Sequence, residues 1–204
     1  MAQEGISKVS KELELYFISH PNGWISVEIP EVLEKEAREI RIERDAQYGN
    51  IFEEEDTDER WTGDLGEIVF NTWLKSNHLR DFQWIKNNSA GQPDFITPTN
   101  VRVGVKTVKR KVEPRMDYTA QITAQHSREP IDHFFFMTYQ FEKKNMWLLG
   151  GIDRNNFLKK ARYYSEGQWV HKNYQIRKGH EIYNIEIGKL IAPLLWLPLV
   201  TRSI

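Results

Sequence analysis

Apolar and polar residues alternate with a period of two along Val101-Arg102-Val103-Gly104-Val105-Lys106-Thr107-Val108, the pattern of a β-strand. Val101, Val103 and Val105 fall on one face, expected to be buried, and Arg102, Gly104 and Lys106 fall on the other. Just upstream, Gln92-Pro93-Asp94-Phe95-Ile96 reads as a first arm. Thr97-Pro98-Thr99-Asn100 supplies the proline and short polar residues that a reversal needs. The pattern predicts a β-hairpin that carries Asp94 and Lys106 on neighbouring strands.

Helical spacing dominates the chain before this hairpin. Ser7–Ile18 places Val9, Leu13, Tyr16 and Phe17 on one side, Pro21-Asn22-Gly23 ends that run, and Trp24–Ile29 reads as a strand. From Pro30 to about Tyr48 a charge-rich helix is predicted, with Val32, Leu33, Ala37, Ile40 and Arg44 along one stripe. Such a helix reads as a cover over a core edge, with DNA contact or dimerisation through Arg38, Arg41 and Arg44 as the alternative. Glu53-Glu54-Glu55-Asp56-Thr57-Asp58-Glu59 resists compaction and reads as a solvated loop, the sharper alternative being electrostatic occlusion of a cleft.

Trp61 to about Asn77 is the next predicted helix. Leu65, Ile68, Val69, Thr72 and Trp73 make one apolar stripe, and Gly63, Glu67, Phe70 and Leu74 a second, which leaves Asp64, Asn71 and Lys75 as the polar face. Glu67 therefore sits on a mostly apolar helix, where a carboxylate is costly to bury unless it is paired or binds a cation. The plain reading is a boundary residue paired with a surface lysine.

Phe82–Ile85 reads as a strand leading into the hairpin, and Tyr118–His126 as a segment between strands after it. His133–Tyr139 reads as a buried central strand and Met146–Ile152 as its antiparallel partner. A helix capped by Asp153 or Asn155 is expected to run to about Tyr164. Trp169–Ile187 mixes aromatics and basics, either a nucleic-acid surface or a closing β-rich segment, with a strand over Ile182–Ile187. Leu190–Leu199 is apolar but short and proline-broken, and is expected to seal the core or an oligomer contact.

At 204 residues the chain suits one well-packed unit, with residues 1–58 as an N-terminal extension and 59–204 as the core and closing segment. A net charge of −1 means that nucleic-acid binding would need a local basic surface, not overall attraction. The absence of cysteine excludes disulfides and cysteine-ligated metals. With no apolar run of membrane-spanning length and a polar N-terminus, a soluble cytoplasmic protein is expected.

Asp94 and Lys106 on adjacent strands are the elements of metal-assisted hydrolysis. The carboxylate holds a hard divalent cation, and the lysine orients or activates a water nucleophile. The alternative is a surface ion pair of little energetic weight. Pro93-Asp94 followed by Val105-Lys106, with Gly66-Glu67 on the preceding helix, resembles the core of the PD-(D/E)XK nuclease superfamily. The resemblance covers roughly residues 60–165. It departs from the family at Gly104, which stands where that family has a second acid.

The resemblance implies a restriction-endonuclease-like α/β fold, a central mixed sheet flanked by helices, here with a helical N-terminal extension. It further implies Mg²⁺-dependent (or Mn²⁺-dependent) hydrolysis of double-stranded DNA. Asp94, Glu67 and the carbonyl of Val105 would be metal ligands, and Lys106 would position the water. Lys109, Arg110, Lys111 and Arg115 leave the active strand and are expected to hold phosphates, with Gln121, Gln125 and His126 as further DNA contacts or water-orienting groups. A homodimer would suit cleavage of both strands at a symmetric site. The alternative is a catalytically silent protein of the same fold that binds DNA or a protein partner.

Overall fold

Strand-forming residues collect in the middle of the chain and build one mixed sheet. A computed structural model of the protein describes residues 14–48, 60–79, 81–86 and 91–202. β1 (Ile18–Ser19) and β2 (Ile25–Glu28) lead into helix α1 (Glu31–Tyr48), and helix α2 (Trp61–Ser76) follows. β3 (Gln83–Trp84), β4 (Phe95–Ile96) and β5 (Arg102–Arg110) then form an antiparallel meander. β6 (Thr119–Thr123) leaves this sheet, and β7 (His133–Gln140) returns to pair with β5 in parallel. β8 (Asn145–Asp153) pairs antiparallel with β7 and reaches back to β2, giving the order β1-β2-β8-β7-β5-β4-β3. Helix α3 (Arg154–Lys160), strands β9 (Arg162–Tyr164), β10 (Trp169–His171), β11 (Tyr174–Gln175) and β12 (Ile182–Glu186), and helix α4 (Pro193–Thr201) complete the chain. The architecture is thus α/β, a seven-stranded mixed sheet with four helices among the described residues.

Both faces of the sheet are covered, which explains why β7 is a nearly unbroken apolar run. On one side Phe135, Met137, Met146 and Leu148 pack with residues of α1, α2 and α4. On the other, Phe134, Phe136, Trp147 and Ile152 pack with Phe157 of α3 and with Ala120, Ile122 and Ile185 of a three-stranded sheet ordered β6-β12-β9. Gly104 belongs to this second side, where a side chain added to it would press on Ile131 at 3.3 Å. The alternation in β5 therefore separates two covered faces; only Arg102 at the strand's start and Lys109 near its end are exposed.

Several expectations need correction. Most of the predicted Ser7–Ile18 helix lies outside the described residues, as does the acidic run 53–59. Residues 14–17 carry no helix, and Ile18 pairs with Ser26 across the turn His20–Gly23. Pairing to the open edge of β2 outweighs the local apolar spacing there. Val32 lies off the buried stripe of α1 and is 56% exposed, whereas Leu33 and Ala37 are buried. The helix after β8 stops at Lys160, because Arg162–Tyr164 pairs with β12. Asp153 is its cap, accepting from the Asn156 N–H at 2.9 Å. Among the described residues no helix is long and apolar enough to cross a membrane.

Helix α2 lies between α1 and the sheet, and the closeness of its approach depends on one glycine. A Cβ on Gly66 would overlap Thr107 Oγ1 and lie 2.9 Å from Thr107 Cβ on β5. A Cβ on Gly63 would meet nothing within 4 Å. Gly66→Ala is expected to cost about 1–3 kcal/mol, as overpacking does. Gly63→Ala should instead gain about 0.5–1 kcal/mol from helix propensity. Urea denaturation of the two variants checks this, and equal stabilities would mean that α2 does not touch β5 at Gly66.

Candidate functional site

β5 runs on to Arg110, but β4 pairs with it only at Arg102 and Val103. Beyond that point β5 has β7 on one side and an open edge on the other. The side chain of Asp94, just before β4, occupies this edge: its Oδ2 accepts the Val105 N–H at 2.7 Å. In an extended strand the carbonyl of a residue points the same way as its N–H, so the Val105 oxygen faces the same edge. Asp94 thereby replaces a missing strand partner while keeping acceptor capacity on its other oxygen.

Glu67 reaches this place from α2. It is 7% exposed, and its partner is Arg44 of α1. Arg44 grips it with two bonds, Nη1 to Oε1 at 2.9 Å and Nη2 to Oε2 at 3.0 Å, while Trp84 Nε1 donates to Oε2 at 3.0 Å. The surface lysine of the plain sequence reading is replaced by this clasp. Arg44 also binds Asp64 at 2.6 Å, and Arg41 binds the other Asp64 oxygen at 2.7 Å. Asp64 was expected on the polar face of α2, yet it is only 1% exposed, because α1 covers that face and supplies two guanidinium groups. Burial pushes the Asp64 carboxyl up to about 6, against the pull of Arg41 and Arg44. Burial also works against the charge of Arg44, but its bonds and attraction to Glu67, with Asp64 and Asp94, raise its pKa.

Burial, then the nearby charge of Glu67, pushes Asp94 up to about 7. Lys106, the Val105 N–H and Arg44 oppose that rise. The three residues singled out by the sequence are thus brought into one electrostatic neighbourhood. Lys106 is half-buried and, among the described residues, has no hydrogen-bond or ion-pair partner for its ammonium. On its other flank lie His126 and Glu129, which sense its charge. Burial, helped by the Lys106 charge, pushes His126 down to about 3, so this imidazole is neutral at physiological pH. Its Nδ1 lies 2.9 Å from Thr123 Oγ1, and its Nε2 lies 3.7 Å from Glu129 Oε1. Burial raises the Glu129 carboxyl while Lys106 lowers it.

The remaining candidates are spread along β5 and β6. Lys109 is exposed with its ammonium 4.4 Å above the Phe141 ring, and Lys111 is exposed. Arg110 is half-buried, donating to the Thr119 carbonyl and lying over Tyr118. Arg115 pairs with Asp117 at 3.0 Å. Gln121 is half-buried on β6, and Gln125 is exposed. Two residues escaped the role now visible for them. Arg44 had a signal, a cation on the buried stripe of α1 that needs an acidic partner. Glu129 had none, because only the parallel return to β7 folds its turn over Lys106.

For a cation, the donors at this edge are all oxygen, which suits a hard divalent ion. Asp94 and Glu67 each retain lone pairs beyond the bonds they accept, and the Val105 carbonyl faces the same edge. The chemistry of these oxygens suits one hard ion at Asp94 and the Val105 carbonyl, with Glu67 able to offer only the lone pair that Arg44 and Trp84 leave on Oε1. They do not fit a three-acid centre: among the described residues no three His, Cys, Asp or Glu side chains gather as a ligand set. Neither a family model nor a curated protein matches this chain.

Proposed function

We propose that the chain is a metal-dependent DNA endonuclease with a restriction-endonuclease-like core, and that Asp94, Glu67 and Lys106 are its working groups. The observation that carries this reading is their convergence at the open edge of β5. The order of elements supports it: a helix with Glu67, a three-stranded meander with Asp94 and Lys106, then a strand parallel to β5.

Asp94 and Glu67 would hold Mg²⁺ or Mn²⁺, with the Val105 carbonyl as a further ligand. When bound, the ion supplies Lewis acidity to a phosphoryl oxygen. Lys106 orients a water for attack on phosphorus, and its charge offsets the negative charge that grows as the water oxygen bonds and the sugar oxygen leaves. Lys109 near the end of β5 and Lys111 just beyond it lie where they can meet phosphates of double-stranded DNA.

One observation favours a second reading. Ile131 packs against Gly104, on the side where a second acid would project, as expected of a silenced member of the fold that binds DNA or a protein partner. Supercoiled-plasmid cleavage with Mg²⁺, Mn²⁺ or EDTA separates the two. The nuclease reading expects metal-dependent nicking that Lys106→Ala removes. If the native chain is inert and Gly104→Glu, combined with Ile131→Ala to make room, does cut, the silent reading holds. If none of these proteins cuts and none binds DNA, the nucleic-acid reading fails in both forms.

A further inference from the structure

Residues 162–186 build a lobe outside the main sheet. Tyr164, Ile176 and Ile182, with Val170 and Tyr174 against them, form a small core of their own that braces the β10–β11 hairpin. The root of this hairpin is fixed by register. Ile182 stands between Thr123 of β6 and Tyr164 of β9, and the Ala124 N–H donates to the Glu181 carbonyl at 2.7 Å. Two residues beyond Ala124 is His126, which senses the charge of Lys106. The hairpin therefore leaves the protein at the end of the small sheet that abuts the candidate site.

Its composition differs from that of the chain. Between residues 162 and 180 stand Arg162, Lys172, Arg177 and Lys178 against the single acid Glu166, in a protein of net charge −1. Trp169 is 58% exposed, whereas the other six tryptophans are buried or partly buried. A large flat ring left in water, in a segment rich in cations, matches a ligand that offers both flat faces and phosphates. The basic run after β5 supplies less than its sequence suggests, because Arg110 and Arg115 are engaged within the fold.

We propose that the β10–β11 hairpin binds single-stranded DNA, with Trp169 stacking on an unpaired base while Lys172 and Lys178 neutralise neighbouring phosphates. This narrows the substrate to DNA with an unpaired tract beside the cut, and it rests on the nuclease reading only for where the bound strand leads.

The test is fluorescence anisotropy of the full chain in EDTA, with labelled single-stranded DNA and a blunt duplex of the same sequence. Native protein should prefer the single strand. Trp169→Ala should weaken that binding roughly tenfold, the loss of one stacked base, with little effect on the duplex. Trp169→Phe should restore most of it. Lys172→Glu with Lys178→Glu should weaken binding and flatten its salt dependence by about one to two units of slope. All these side chains are exposed, and far-UV circular dichroism verifies the folds. The proposal is overturned if Trp169→Ala binds the single strand as tightly as native protein, if the duplex is preferred, or if inorganic polyphosphate competes as well as DNA. Because EDTA suppresses cleavage, the result stands apart from the plasmid assay: an inert native chain with an intact stacking effect defeats the nuclease reading alone.

Discussion

Asp94→Asn is expected to suppress metal-dependent cleavage and, in metal-free protein at pH 8, to raise the melting temperature. Both effects follow from the burial of one carboxylate at the edge of β5. Asp94 has a pKa of about 7 in the folded protein, well above the usual carboxylate range. The folded state therefore holds this proton more tightly than the unfolded chain does. The resulting stabilisation is full below about pH 4, falls as pH rises, and is gone once pH passes the folded value near 7. At pH 8 the native protein carries a buried charge that asparagine cannot acquire, while the asparagine oxygen can still accept the Val105 N–H. At about 1.4 kcal/mol per pKa unit the buried charge costs about 4 kcal/mol. Burying the asparagine NH2 without a partner offsets about 1–3 kcal/mol of that, so the gain is on the order of 2 kcal/mol, or roughly 4–8 °C for a chain of this size. Melting curves in EDTA from pH 5 to pH 8 should diverge as pH rises. Asp64 and His126 also titrate abnormally, but they are present in both proteins and largely cancel in the difference. Parallel curves would show that Asp94 is not buried as described. Cleavage should fall roughly 10²–10³-fold, the scale of losing one preorganised electrostatic contact. A variant that is more stable yet inactive would fit a site where stability is given up for cation binding.

Arg44→Gln should have the larger effect on stability. Arg44 bridges Glu67 and Asp64 between two packed helices, so its removal leaves Glu67 without its clasp near Asp94. Removing one partner of a buried ion pair costs about 3–5 kcal/mol, which is a fall of roughly 6–20 °C in melting temperature. Arg44→Lys should lie between, since it keeps the charge but cannot grip two carboxylate oxygens at once. Millimolar Mn²⁺ should recover part of the loss in Arg44→Gln, because a cation that binds only the folded state stabilises it by mass action. The corresponding rise in native protein should be smaller, since Arg44 already neutralises Glu67. Melting all three proteins with and without Mn²⁺ checks this. Equal metal shifts would mean that Glu67 takes no part in cation binding.

The clasp also shows where sequence reading stops. The stripe of α1 and the apolar surroundings of Glu67 are visible in the residue order, and each says that a buried charge needs a partner. That the two needs are met by each other depends on α1 packing against α2, a contact between residues more than twenty positions apart. Asp64 was misplaced for the same reason. A helix taken alone shows a polar face, and only the neighbour that covers it decides whether that face meets water.

The hairpin with Asp94 and Lys106, the central strand β7 with its antiparallel partner and the long helix α2 were all determined by sequence, because period-two and 3.6-residue patterns are local and turn residues mark their ends. Tertiary structure alone decided the rest. It placed Ile131 against Gly104, gave Glu67 to Arg44, brought His126 and Glu129 into the field of Lys106, and joined β12, the strand that follows the β10–β11 hairpin, to β6. These relations arise from a parallel return between strands and from strand register across a second sheet. Such pairings join residues far apart in the chain, and no local pattern of residues encodes them.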